Sequence, residues 1–193
     1  RSTIFDPLSS PDSDAMVNAC RLFGAEITVL KGKVEVTGVG GKVKPILETI
    51  EVGNSGIVLR FCTAVASLSE HPVKVTGDAS IRNQRTMAPL LSALTQLGVK
   101  HEPLAIPGYA PLIVKGPLQP GRAKLDGTDS QPVSAMLIAA ALASGPVTID
   151  VVNPGEKPWV DLTVHWLESM KVPVERDGYN RFHLKGGAVF EGF

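Results

Sequence analysis

The residues best suited to chemistry are Gly53-Asn54-Ser55-Gly56 and, four positions later, Arg60. Two glycines in a short turn let the backbone bend sharply and come close to a ligand. The opening turn of a helix that follows has unpaired N–H groups and the positive end of the helix dipole, so it can hold an anion. Arg60, one turn into that helix, could point a planar, permanently charged fork back at the same anion. The plainer reading is a tight turn at Gly53 and Gly56 with Arg60 on the surface. Repetition favours the chemical reading: Gly127-Thr128-Asp129-Ser130 leads into a second apolar helix with Pro132 in its first turn.

Other candidates carry less. Arg82 reads as a solvated loop arginine, and Lys157 as either a phosphate contact or a surface ion pair. His71, His101, His165 and His183 have no Cys, Asp or Glu partners at metal spacing. Asp12 and Asp14 suit the start of a helix better than catalysis. Trp159 and Trp166, seven apart, fit one apolar helix face.

Composition sets the frame. Among 193 residues, 19 basic balance 19 acidic side chains, which gives no support for a nucleic-acid or membrane surface. Hydrophobic residues make up 44%, enough for a packed core. Cys20 and Cys62 lie in apolar helical patterns without zinc spacing, so we expect small buried hydrophobes in a reducing, cytoplasmic compartment. No apolar run reaches transmembrane length, and no signal peptide is evident. The chain begins at Arg1 without methionine, and we expect N-terminal sequence to be missing.

The elements follow in order. A strand at 2–6 precedes a helix that starts at Ser10-Pro11-Asp12-Ser13-Asp14 and runs to Phe23, before Gly24. Strands Glu26–Leu30 and Lys33–Thr37 flank a Lys31-Gly32 turn, and Gly38–Lys44 is a loop. A strand at Thr49–Val52 feeds the opening turn and a helix to about Ser69. Then come a strand Val73–Thr76, a polar loop Gly77–Arg85, a helix Thr86–Leu97, and strands near Lys100–Ile106 and Leu112–Lys115. The last third offers a strand Lys124–Asp126, a helix Gln131–Ser144, a strand Val147–Val151, a loop 154–158, a helix Trp159–Met170, and strands near Val172–Glu175 and Arg181–Leu184. Gly53 and Gly127, Pro72 and Pro146, and Gly24 and Gly98 are each 74 positions apart. A strand–helix–strand–helix–strand–strand unit therefore recurs, at about 1–44 (truncated at its start), 47–116 and 122–186. Helices apolar nearly all round must be enclosed, so sheets should lie outside and helices inside. The turns before the helices then gather at one end, around one anion site.

Four segments resemble the signatures of the 5-enolpyruvylshikimate-3-phosphate synthase family, in order and at its spacing. They are Gly53-Asn54-Ser55-Gly56 with Leu59-Arg60, the run from Gly77 through Arg85 to Leu91, Asp129-Ser130-Gln131, and Lys157-Pro158-Trp159-Val160-Asp161-Leu162-Thr163. The resemblance covers almost the whole chain. It implies an α/β (α+β) fold, one enolpyruvyl-transferase-like domain over 1–193: an inside-out α/β barrel of three βαβαββ repeats. A second domain and the family's extreme N-terminal segment would be absent. It also implies a transferase of the shikimate pathway, serving chorismate and aromatic amino-acid biosynthesis. The enolpyruvyl group of phosphoenolpyruvate goes to the 5-hydroxyl of shikimate 3-phosphate, and phosphate is released. By motif, Gly56, Arg85, Gln131 and Arg60 would bind phosphoenolpyruvate. Ser130, Gln131, Asp129, Glu156 and Trp159 would bind shikimate 3-phosphate. No metal or other cofactor is implied, and no catalytic residue is assigned within this domain.

The sequence departs from the family pattern at Ile57, Phe61, Thr86, Asp129, Glu156 and Trp159. A carboxylate at 129 would repel a phosphorylated substrate unless it turns away or pairs with a lysine. Glu156 and Trp159 stand where serine and tyrosine would touch shikimate 3-phosphate. Two rival functions stay open: the enolpyruvyl transferase acting on UDP-N-acetylglucosamine, which shares the fold, and a non-catalytic binding module.

Overall fold

Ser10 opens the first helix with its own side chain: its hydroxyl accepts from the Ser13 N–H at 3.2 Å, and Asp12 and Asp14 face the dipole in the first turn. The computed structural model describes residues 1–43 and 49–193. The end of the loop expected over 38–44 and the start of the unit expected over 47–116 fall on residues outside the described set.

The first elements are β1 (Ser2–Phe5), α1 (Pro11–Leu22), β2 (Glu26–Leu30) and β3 (Lys33–Thr37), with antiparallel strands in the order β1-β3-β2. Next come β4 (Ile50–Glu51), α2 (Gly56–Ala66), β5 (Val73–Thr76), α3 (Ala79–Gln84), α4 (Ala88–Gln96), β6 (Lys100–Pro103) and β7 (Leu112–Lys115). Their sheet runs β4-β5-β7-β6, with β4 and β5 parallel. The rest are β8 (Gly121–Asp126), α5 (Ser130–Leu142), β9 (Val147–Val152), α6 (Lys157–Ser169), β10 (Glu175–Asp177) and β11 (Arg181–Leu184). Their sheet runs β10-β11-β9-β8, with β8 and β9 parallel. Among the described residues this is a mixed α/β architecture with three sheets. In the two larger sheets a helix joins the parallel pair, as a parallel connection requires.

The core lies where helices meet. Ten of the thirteen residues of α5 are buried, and the helix packs against α2, α4 and α6. Its Ala135, Ala139, Ala140 and Ala141 let neighbouring backbones come close, while Met136 and Leu137 fill the space between. In β9, Val147, Ile149 and Val151 are buried and the residues between them are half-buried, the period of two expected of a strand with one covered face. Among the described residues no helix is long and apolar enough to cross a membrane.

Three expectations need correction. The stretch Gly77–Arg85 is not all loop: Asp78 caps α3 by accepting from the Ser80 and Ile81 N–H groups, and buried Ile81 pins the helix down. The strand near Val172–Glu175 begins only at Glu175, because the Val172 N–H is used to close the end of α6 on the Leu167 carbonyl. β6 stops at Pro103, and a turn closed by the Tyr109 N–H on the Ile106 carbonyl takes the residues beyond.

Candidate functional site

Two turns are tied together before any side chain is placed. The Val52 N–H donates to the Thr76 carbonyl at 2.9 Å, and the Asp78 N–H to the Gly53 carbonyl at 2.8 Å. Gly77 must lack a side chain here, since a Cβ would lie 2.5 Å from the Gly53 oxygen. Ser55 then caps α2 by accepting from the Val58 N–H. Gly56 becomes the first helical residue, where an N–H has no partner within the helix. The short helix α3 ends on Arg85, whose exposed side chain lines an open cavity of about 890 Å³, within the usual range for ligand sites.

Three side chains meet at Gly56. A Cβ there would sit 2.9 Å from Arg60 Nη1, 3.6 Å from Gln131 Oε1 and 3.8 Å from Arg85 Cδ. Arg60 is only 5% exposed. Its Nη1 donates to Gln131 Oε1 at 2.8 Å and to the Gly56 carbonyl at 3.2 Å. Its Nη2 donates to the Thr86 carbonyl at 3.1 Å and pairs with Asp129 at 3.1 Å. Its buried Nε has no acceptor among the described residues. Burial lowers the Arg60 pKa, the nearby Arg85 charge pushes the same way, and Asp129 and Glu156 oppose them. Arg60 thus ties α2, the Thr86 loop and the start of α5 to one buried guanidinium.

The start of α5 is closed by carboxylates. Asp129 Oδ1 accepts from the Gln131 N–H at 2.9 Å. Glu156 Oε2 accepts from both the N–H and the hydroxyl of buried Ser130, at 3.0 and 2.8 Å. The Ser130 N–H, then its hydroxyl, then the Arg60 charge hold the Glu156 carboxyl below its ordinary range. Gly155 brings this loop in: its N–H donates to the Gly127 carbonyl at 2.9 Å, and a Cβ would lie 2.5 Å from the Thr128 oxygen. Farther along the cavity, Trp159 is 63% exposed, and the Thr163 hydroxyl donates to Ser134 Oγ at 2.8 Å.

The chain matches the family model of EPSP synthase (3-phosphoshikimate 1-carboxyvinyltransferase) over residues 1–193. It belongs to the EPSP synthase family. It is 38% identical over 192 residues to a Chlamydia caviae protein named 3-phosphoshikimate 1-carboxyvinyltransferase, covering 100% of this chain and 43% of that protein. A Chlamydia felis protein of the same name is 40% identical over 177 residues, covering 92% and 40%. A solved EPSP synthase from Acinetobacter baumannii aligns with a TM-score of 0.86 at 26% identity, over 99% of this chain and 42% of that one. The chain therefore spans less than half the length of these relatives.

In this EPSP synthase family chain, Gly56, Arg60, Arg85 and Gln131 stand together, and Asp129, Ser130 and Glu156 share the start of α5 beside them. Trp159 lies on the cavity wall. Asp129, which had either to turn away or to pair with a cation such as lysine, pairs with Arg60. Lys157 points elsewhere, its ammonium 5.2 Å from the centre of the Tyr179 ring. Arg82 is exposed and reaches back to the Asp78 carbonyl. Asn54 and Thr163, both within the motif segments, line the cavity too, and so does Ser134, which lies outside them. The spacing of Ser130 and Ser134, four apart on one helix face, was the signal available for the second serine.

Proposed function

We propose that this chain is the substrate-binding half of an enzyme that moves the enolpyruvyl group of phosphoenolpyruvate to the 5-hydroxyl of shikimate 3-phosphate, releasing phosphate. The observation that carries this reading is the meeting of Arg60, Arg85 and Gln131 around Gly56. Phosphoenolpyruvate is a compact polyanion. Arg85 offers it an exposed bidentate fork, and Gly56 a backbone N–H at a helix start. Arg60 supports the site from behind, because both its Nη groups already serve protein acceptors. Gln131 lies between this group and Ser130, where the acceptor would sit against Asp129, Glu156 and Trp159. One charge-assisted hydrogen bond contributes roughly 1.5–3 kcal/mol, so a few such contacts account for specific binding.

The same reading makes the chain one inside-out α/β barrel domain of three βαβαββ units. The strand orders β4-β5-β7-β6 and β10-β11-β9-β8 follow one plan, and β1-β3-β2 follows it without the first strand. The apolar side of the cavity, with Ile57, Phe61, Ile138 and Trp166, is then where the first unit's opening helix would pack. A second domain would face the cavity and supply the acid–base groups, in the cytoplasm and without a cofactor.

The test is phosphate release by the full-length protein given phosphoenolpyruvate with either acceptor. Turnover with shikimate 3-phosphate and none with UDP-N-acetylglucosamine is expected. Turnover with the second acceptor alone, or with neither, overturns the reading.

A further inference from the structure

Among the described residues the first turn of α5 has no backbone N–H left for an outside anion. The Ser130 N–H is held by Glu156, the Gln131 N–H by Asp129, and Pro132 has no N–H. The Ser130 hydroxyl goes to the same Glu156 oxygen. A phosphate brought to Ser130 has to displace a carboxylate, since two anions cannot share these donors without strong repulsion.

The two carboxylates are not equally free to leave. Asp129 is bound to the buried Arg60 guanidinium as well as to the helix. Glu156 is exposed, and its carboxylate's hydrogen bonds run to Ser130 alone among the described residues. Its backbone is fixed: Gly155 is wedged against Thr128, and Glu156 itself sits at φ 46°, in the left-handed region that non-glycine residues seldom adopt. The loop is held and the side chain is free to swing into solvent.

We infer that Glu156 is a specificity-determining residue, an internal anion that occupies the acceptor's phosphate seat on Ser130 and yields it only to a ligand that competes better. A phosphate monoester brings more charge and more acceptor oxygens than one carboxylate, so it displaces Glu156 where a monoanion does not. This rests on the acceptor reading given above.

The experiment compares the full-length protein with Glu156→Gln and Glu156→Ser. Glutamine keeps an oxygen for Ser130 without the charge; serine removes the occupant and leaves a hydroxyl. Thermal melts check that each variant folds. Calorimetric titration with shikimate 3-phosphate should show both variants binding it more tightly, by on the order of tenfold. Phosphoenolpyruvate, held at Gly56 and Arg85, should bind all three alike. In the unliganded protein the Ser130 amide resonance should move on substitution, and in the wild type it should move again when shikimate 3-phosphate is added. Unchanged or weaker shikimate 3-phosphate binding in both folded variants overturns the inference while leaving the acceptor site standing. Absence of shikimate 3-phosphate binding in all three proteins overturns the acceptor reading, and the inference with it.

Discussion

Arg60 illustrates how one buried side chain can hold a candidate site together without lining its cavity. Its guanidinium donates to groups on three segments, and removing it leaves the Gly56 and Thr86 carbonyls and Gln131 Oε1 short of a donor. We expect Arg60→Ala to cost about 3 kcal/mol, lowering Tm on the order of 6–12 °C. Arg82→Ala, at an exposed arginine, should change stability by less than about 0.5 kcal/mol. Thermal melts of the two variants decide this. Gly56 sets a tighter limit. A Cβ there comes within 2.9 Å of Arg60 Nη1, so the guanidinium must shift and carry Gln131 with it. Gly56→Ala should keep the fold and weaken phosphoenolpyruvate binding on the order of tenfold, read by titration. The resemblance of the motif segments to the family's signatures brought Gly56, Arg85, Gln131 and Ser130 forward as site residues. The use of Arg60 and Glu156 was not legible, because their partners are 71 and 26 positions away and the contacts depend on how α2, α5 and the loop before α6 pack.

At the scale of elements, strands were legible wherever one face is covered. Val73–Thr76, Leu112–Lys115 and Arg181–Leu184 alternate buried and less buried residues, and the same bounds follow from sequence. The six-residue α3 was not legible, since its one buried residue, Ile81, makes no periodic pattern. On the outer face of the last sheet, Asp150 of β9 is paired with Arg122 of β8 and Arg181 of β11, joining three strands. Hydrogen bonds from Arg122 and then Arg181 hold its carboxyl down to about 2. A lowered native pKa means that its stabilisation is complete above the unfolded value, about 3.9, and is lost as pH falls toward 2. Both arginines are largely exposed, so the effect is on the order of 1 kcal/mol. Asp150→Asn should lower Tm by about 2–4 °C at pH 7, and the gap should close by pH 2. A gap that persists at pH 2 would show that packing, and not the ion pairs, carries the effect. Inside the core, Ala139 on α5 is fully buried, so Ala139→Leu should cost roughly 1–3 kcal/mol in the same melts.

At the scale of the molecule, the chain has a continuous buried core running through the two larger sheets and the helices packed on them, and Ala19 of α1 and Phe23 join it from the first unit. It should unfold in one cooperative transition. The cavity is open, however, and catalysis needs groups held on both sides of the substrates. The 193-residue chain alone should release phosphate from phosphoenolpyruvate plus shikimate 3-phosphate only at background; turnover near that of a whole enzyme would contradict the proposed division into halves. The central claim is that turns from separate segments of the chain bring Gly56, Arg85 and Gln131 onto one anion site. Titration of phosphoenolpyruvate into the full-length protein and its Arg85→Ala, Arg85→Lys and Arg176→Ala variants, at fixed salt, tests it most directly. Arg176 is a suitable control because it pairs with Asp161, away from the Gly56 group. Arg85→Ala should weaken binding far more than Arg176→Ala, and lysine at 85 should recover only part of the loss because it lacks the two-pronged contact. Equal affinities for Arg85→Ala and Arg176→Ala would contradict the site, leaving the family membership to account for the fold alone.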